Sequence, residues 1–437
     1  MRVAIVGTGV SGLVAAHLLR DRADVHLFEA RDRIGGHVNT IELEGPDGAP
    51  VAVDTGFIVY NEQNYPLFSA LLARLGVATQ SSDMSFSVRC DRTGLEYNGS
   101  TIPQLFSQRA NLLRPSFYRM LADIVRFNRE AAPAVRNGAA TTTLGEYVHG
   151  AGYSPRLAEH YLVPMGSALW SVPRRRVLEM PAAFFIEFFQ NHGMLSIDDR
   201  PPWRVVAGGS ARYVEALVRP FRDRIRTGAP VAKVSRRPDH VLVEGERFDH
   251  VVLACHADQA LDLLRDPSAA ERRILGALPY QENDVVLHTD TECLPRRRRA
   301  WGAWNYRLSG SDDDPATVTY NMNILQSLST PETYCVSLNA TDRIDPARVL
   351  YRARYRHPVY SMEGVAAQAR HAEISGNRTH YCGAYWGFGF HEDGVRSGAR
   401  VAETLGVDVS RALGAAVRSV AGGSIGGLGP PPAAVGT

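Results

Sequence analysis

The apolar run Val3-Ala4-Ile5-Val6 leads directly into Gly7-Thr8-Gly9-Val10-Ser11-Gly12, and an apolar-periodic stretch with Leu13, Ala16 and Leu19 follows. A second run, Val25-His26-Leu27-Phe28, ends at Glu29. Strand, tight turn, helix and strand make a βαβ unit, and G-x-G-x-x-G in that setting marks a dinucleotide site. Each glycine has a steric task. Gly7 makes the tight turn, Gly9 lets a pyrophosphate reach the backbone, and Gly12 lets helix and strand pack closely; Ser11 lies among them at the helix N-terminus that holds the anion. Glu29 stands 22 positions after Gly7, where a carboxylate takes both ribose hydroxyls and disfavours a 2′-phosphate.

A chain of 437 residues exceeds one ordinary core, so two intertwined domains are expected. Helical character, rich in Leu, Phe and Arg, runs from about Asn64 to Pro202, with helices expected over Pro66–Leu75 and Val177–Asn191. Alternating runs return at Val231–Val234, Val241–Val243 and Val251–Ala254, and strand-like pieces recur at Val285–His288, Ala316–Met322 and Tyr334–Leu338. The expected architecture is α/β: a discontinuous Rossmann-like nucleotide-binding domain (1–62, 203–270 and 377–420) with an interleaved α+β substrate domain (63–202 and 271–376). The Gly/Pro-rich segment 421–437 reads as a disordered tail.

A formal charge of +2 gives no reason to invoke nucleic acid. The five scattered cysteines lack a C-x-x-C pair, so reduced thiols and no metal site are expected. The first residues leave no room for a signal peptide, and no run of 18 apolar residues occurs. A cytoplasmic location is therefore expected, and peripheral membrane contact is compatible with it. Arg296-Arg297-Arg298-Arg299 reads first as a solvated loop, with contact to anionic lipid heads as its alternative.

The segment Ala30-Arg31-Asp32-Arg33-Ile34-Gly35-Gly36 after Glu29 resembles the flavin-containing amine oxidase and phytoene desaturase superfamily, whose members follow the ribose carboxylate with such a Gly-Gly pair. Asp54-Thr55-Gly56-Phe57 resembles the family's segment beside the flavin ring, and Val205-Val206-Ala207-Gly208-Gly209 its re-entry into the cofactor domain. Val231 matches the strand whose backbone meets the adenine. Gly389-Phe390-His391-Glu392-Asp393-Gly394 resembles the closing motif, where a helix N-terminus points at the flavin. The resemblance implies non-covalent FAD held by Gly7, Gly9, Ser11, Gly12, Glu29, Ala30, Arg31, Gly35, Gly36, His37, Thr55, Gly56, Val231, Gly383, His391 and Glu392. Tyr320–Gln326, His357-Pro358-Val359-Tyr360 and Cys382–Trp386 are most similar to a bacterial group of FAD-binding oxidoreductases associated with cyclopropane-fatty-acid synthase-like genes.

The chain departs from that pattern in three places. His37 follows the Gly-Gly pair where many relatives carry Arg, and Arg31 or Arg33 is the expected substitute. Gly383-Ala384 stands where relatives often have Gly-Asp. The lysine that amine oxidisers place near flavin N5 has no counterpart: Lys233 is the only lysine in the sequence, and the aligned position falls near His288, which reads first as a core histidine.

The expected activity is an FAD-dependent oxidoreductase, a desaturase or dehydrogenase acting on a fatty acyl or isoprenoid substrate with an electron acceptor still to be identified. A double-bond isomerase and a non-catalytic lipid- or partner-binding flavoprotein are the alternatives. His391 and His357 are the candidate bases, Phe390 a surviving cage wall, and Asn323 and Gln326 candidate head-group ligands. Phe184, Phe185, Phe188 and Phe189 are either core or the lining of an acyl tunnel.

Overall fold

The apolar runs read from the sequence pair as a parallel sheet in the order Ile225–Arg226, Asp24–Phe28, Arg2–Val6, His250–Leu253, Thr379–Tyr381. The computed structural model describes residues 1–136, 141–196 and 200–414; the tail expected at 421–437 lies outside these. Val3, Ala4 and Ile5 are fully buried because both faces of the sheet are covered, as a continuous apolar run requires. Helices Val10–Leu19, Ala211–Val218 and His391–Thr404 cover one face. The other carries an antiparallel sheet of Val234–Arg236, Val241–Val243 and Glu246–Phe248.

A seven-stranded sheet forms the second layer system, in the order Val349–Pro358, Tyr280–His288, Cys335–Leu338, Thr317–Asn321, Trp304–Leu308, Phe86–Cys90, Leu95–Asn98. Its last two strands come from the stretch read as helical, so that stretch contributes sheet as well as helices. The helices Pro115–Arg136, Val163–Trp170 and Ala182–Asn191 pack on one apolar cluster beside this sheet.

Two local expectations are corrected. The helix expected over Val177–Asn191 is two helices, Arg174–Glu179 and Ala182–Asn191. Pro181 separates them by forcing Met180 into extended backbone (φ −62°, ψ 149°). The strand expected from Val231 begins at Val234; Ala232 and Lys233 instead donate their N–H groups to Glu244 Oε1, both at 2.8 Å. Among the described residues no helix is long and apolar enough to cross a membrane.

Candidate active site

A cleft opens at the carboxyl ends of strands Arg2–Val6, His250–Leu253 and Thr379–Tyr381, where Gly9, Ser11, Gly35, His37 and Gly383 line it together with Cys255 and His256. Ligands in open α/β sheets bind at strand ends of this kind. Helix Val10–Leu19 starts at Gly9 with no side chain capping it, and a Cβ added at Gly9 would meet nothing within 4 Å. At Gly12 a Cβ would lie 2.2 Å from the Gly7 carbonyl oxygen and 2.9 Å from Ala254 Cβ. The turn is thus seated hard on the sheet and open on its outer side, which fits a pyrophosphate.

Glu29, 8% exposed, accepts the Thr8 N–H on Oε2 and the Arg31 N–H on Oε1, each at 3.0 Å. These bonds aim the carboxylate and leave lone pairs for a ribose diol. Arg33 is committed to the loop, donating to the carbonyls of Val38 (3.0 Å) and Gly36 (2.6 Å). Ala30 and Arg31 are exposed at the rim, so Arg31 is the free guanidinium of the two. Val231 is half-buried outside the strands, against the core on the far face of the sheet. The cleft suits FAD, and Cys255, the thiol lining it, is pushed up to about 12 by burial.

His37 Nε2 donates to the Arg356 carbonyl at 3.1 Å, and its ring lies 5.6 Å from that of His256 and 5.5 Å from that of His357. Burial holds His37 well below the usual imidazole range, helped by the two neighbouring histidines. It lowers His256 and His357 to about 4. The cluster is therefore neutral at pH 7.

The tautomer of His357 is set from a distance. The Asp284 N–H donates to Asn339 Oδ1 (3.0 Å), and Asn339 Nδ2 donates to Asn283 Oδ1 (2.7 Å) and to the Ala316 carbonyl (3.0 Å). Asn283 Nδ2 must then face His357 Nδ1, 3.0 Å away. With Nδ1 accepting, the proton of the neutral ring sits on Nε2. His357 is a hydrogen-bond donor here, which corrects the expectation of a base.

His357, His37, Phe57 and Gly389 also line a second cavity of about 120 Å³. Thr55, Gly56 and His391 lie in its wall. A Cβ at Gly56 would fall 1.8 Å from the His37 carbonyl oxygen, so this close approach requires glycine. His391 begins the helix His391–Thr404 and stacks on Phe68 at 4.4 Å and 17°. Burial lowers it to about 3, which makes it a weak base at neutral pH.

Val59, Leu169, Trp304 and Phe390 join this second cavity to a third, of about 420 Å³. Phe188, Met84, Met165, Met194 and Trp203 make its wall largely apolar. Phe188 stacks on Phe390 at 4.9 Å and on His192 at 3.9 Å. Of the four phenylalanines considered, only Phe188 lines this cavity; Phe184, Phe185 and Phe189 pack in the helical core.

Several sequence candidates lie elsewhere. Asn323 closes its own loop, donating to the Glu332 carbonyl (2.7 Å) and accepting from the Tyr334 N–H (2.8 Å). Gln326 accepts the Asp54 N–H at 2.9 Å and is 2% exposed. His288 bonds Ser337 Oγ at 2.8 Å and the Asp290 N–H at 3.1 Å inside the core. The Glu392 carboxylate faces away from the cleft: it accepts the N–H groups of Leu67 (3.2 Å) and Phe68 (3.0 Å), free donors in the first turn of helix Pro66–Leu75. Gly383 lines the cleft and donates to Ser397 Oγ at 3.0 Å. Cys255 and His256 were not anticipated, although their place just after strand His250–Leu253 follows the strand-end rule.

The family model for flavin containing amine oxidoreductase matches residues 10–320. Amine oxidase [flavin-containing] A of Sus scrofa is 23% identical over 334 residues, covering 72% of this chain and 61% of that protein. Carotenoid phi-ring synthase of Streptomyces griseus is 28% identical over 302 residues, covering 63% of this chain and 54% of that protein. The matches thus span less than two thirds of these relatives' lengths. Cyclohexylamine oxidase from Brevibacterium oxydans superposes with a TM-score of 0.66 at 17% identity, covering 92% of this chain and 99% of that one. A CLA-producing fatty acid isomerase from P. acnes does so with a TM-score of 0.66 at 16% identity, covering 92% and 98%. At these identities the likeness is one of fold.

Proposed function

The chain belongs to the flavin-containing amine oxidoreductase family, and on that premise we propose that it is an FAD-dependent oxidoreductase that dehydrogenates a long, apolar, lipid-like substrate. The observation carrying this reading is the 420 Å³ cavity with its aromatic and thioether walls, joined through the smaller cavity to the cleft. Bound FAD supplies a hydride acceptor at its ring. The chain's own groups bind and orient. Phe188 and Phe390 form a flat stacked wall that holds an acyl or isoprenoid chain by burial, worth about 0.8 kcal/mol per methylene. The apolar lining excludes water from the reacting carbon. His357 presents an N–H where the cleft meets the cavities, and the neutral histidine cluster adds no fixed cation there.

Amine substrates are disfavoured. Lys233 is exposed and lines none of these cavities, and strand Tyr280–His288 contributes Tyr280 to the cleft and Val285 to the second cavity. Similarity to a carotenoid phi-ring synthase supports an apolar substrate. The test is anaerobic bleaching of the bound flavin by lipids of graded chain length. Bleaching that strengthens with length is expected, with no peroxide from polyamines, monoamines or amino acids. Equal bleaching by short soluble compounds, or rapid amine oxidation, would overturn the proposal. Rearranged double bonds without net reduction would replace dehydrogenation by isomerisation.

A further inference from the structure

Five of the eight large apolar side chains exposed among the described residues fall in one stretch: Ile102 (75%), Leu112 (49%), Leu113 (88%), Tyr118 (45%) and Val125 (53%). The clustering is unusual because exposed apolar residues normally scatter singly. Phe106 holds the segment together, its ring 6.1 Å from that of Tyr118 and 5.7 Å from that of the buried Phe117. Tyr118 Oη donates to the Leu112 carbonyl at 3.1 Å, so the exposed leucines sit on a fixed turn.

The charge around this patch is predominantly basic: Arg119 is paired with Asp123 at 3.4 Å and Arg126 with Glu130 at 3.8 Å, while no acid pairs with Arg109 or Arg114 among the described residues. Residues 101–126 contain Arg109, Arg114, Arg119 and Arg126 and a single acid, Asp123, which is 3% exposed and accepts from the Ser154 N–H at 3.0 Å. The short helix Ile102–Leu105 packs beside the turn Arg298–Ala300, which brings the exposed Arg296, Arg298 and Arg299 to the same side. Arg297 is paired with the buried Glu96 at 2.8 Å. Gly99 and Ser100, immediately before the patch, line the 420 Å³ cavity.

We propose that Ile102, Leu112 and Leu113 insert into the surface of an anionic lipid bilayer while the flanking arginines bind its head groups, setting the cavity wall at Gly99–Ser100 against the membrane. Apolar side chains ringed by basic ones are the pattern of interfacial binding, in which burial and attraction to anionic lipid act together. A route from the bilayer into the cavity would deepen the proposed lipid activity, but docking itself is independent of it.

The experiment is sedimentation of the full-length FAD-loaded protein with vesicles of phosphatidylcholine alone or mixed with phosphatidylglycerol. Binding should require phosphatidylglycerol and weaken with salt. Ile102→Ser with Leu113→Asp should lower it by more than tenfold. Arg109→Glu with Arg299→Glu should lower it by at least roughly fivefold for each arginine removed. Flavin bleaching by detergent-dispersed lipid should be unchanged in both variants, which separates failure of docking from failure of the proposed activity. Equal binding to neutral vesicles, undiminished binding by the variants, or a dimer that Leu113→Asp dissociates without altering sedimentation would overturn the proposal. The last result would assign the patch to a second copy of the chain.

Discussion

Asn283 and His357, on neighbouring antiparallel strands, are joined by a bond in which the amide can only donate and the imidazole Nδ1 can only accept. The backbone amide of Asp284, acting through Asn339, fixes that polarity. Asn283→Asp reverses it. A carboxylate still accepts from Asn339 Nδ2, but its other oxygen now favours a proton on Nδ1. His357, held at about 4 by burial and by His256, should bind a proton about a hundredfold more tightly, ~2 pH units higher.

His37 and His256, with Arg356 and Tyr355 on its own strand, also bear on His357, so NMR of ¹⁵N-labelled histidine, which reads each ring separately, is the measurement of choice. The parent should show the Nε2–H tautomer, and the variant an imidazolium that forms as pH falls through about 6, roughly 2 units above the parent. A parent ring protonated at Nδ1 would defeat the relay.

Glu29→Ala should weaken FAD binding by about 1.5–3 kcal/mol, the worth of charge-assisted bonds to the ribose. The structure adds a second cost, because the same carboxylate braces the N–H groups of Thr8 and Arg31. Glu29→Gln should therefore be milder than Glu29→Ala in a fluorescence titration of the apoprotein. The flavin should leave quantitatively on acid precipitation, since the Cys255 thiol stays protonated at neutral pH. Flavin retained in the precipitate would show a covalent link.

What the sequence disclosed was local. Gly7 to Gly12, Glu29 and Gly383 are positioned by turns and strands a few residues long; Gly9, Ser11 and Gly383 line the cleft, and Glu29 accepts the Thr8 N–H of the glycine turn. What it did not disclose depends on pairing at long range. Asn339 reaches Asn283 across 56 positions, and Glu392 reaches Leu67 across 325. Without those partners the hold of the Glu392 carboxylate on helix Pro66–Leu75 goes unseen, and His357 reads as a base. Asn323 and Gln326 misled for a related reason: polar residues beside a sheet are as readily consumed by loop closure as by ligand. The Cys255–His256 pair was legible through the strand before it.

Phe188→Ala should flatten the dependence of flavin bleaching on substrate chain length. The ring faces the cavity and stacks on Phe390, yet it is also 1% exposed, so a stability loss of about 3–5 kcal/mol is expected from truncation. Phe185→Ala, which leaves the cavity wall intact, serves as the control. It should cost similar stability and preserve the slope. If both variants lose the slope equally, Phe188 acts through the core and not through the substrate.

Glu392 gives a pH dependence of defined sign. Burial raises its carboxyl from 4.5 to about 7, against the opposing effect of the Phe68 and Leu67 amides and Arg396. The folded state thus binds a proton that the unfolded state releases between pH 4.5 and 7. The contribution of Glu392 to stability is fully present below about pH 4.5 and declines as pH rises through that window, by about 3 kcal/mol in all. Glu392→Gln cannot titrate. Its amide meets the Leu67 and Phe68 donors with one acceptor oxygen where the carboxyl offers two, which adds a destabilising offset that does not vary with pH. Relative to the parent, the variant should therefore gain stability steadily from pH 4.5 to 7 and then level off. Urea unfolding of both proteins at half-unit pH steps measures this difference directly, because the buried histidines, His391 among them, titrate in both and cancel. A difference that is flat with pH would place the Glu392 carboxyl near its ordinary value and make it a charged cap on helix Pro66–Leu75.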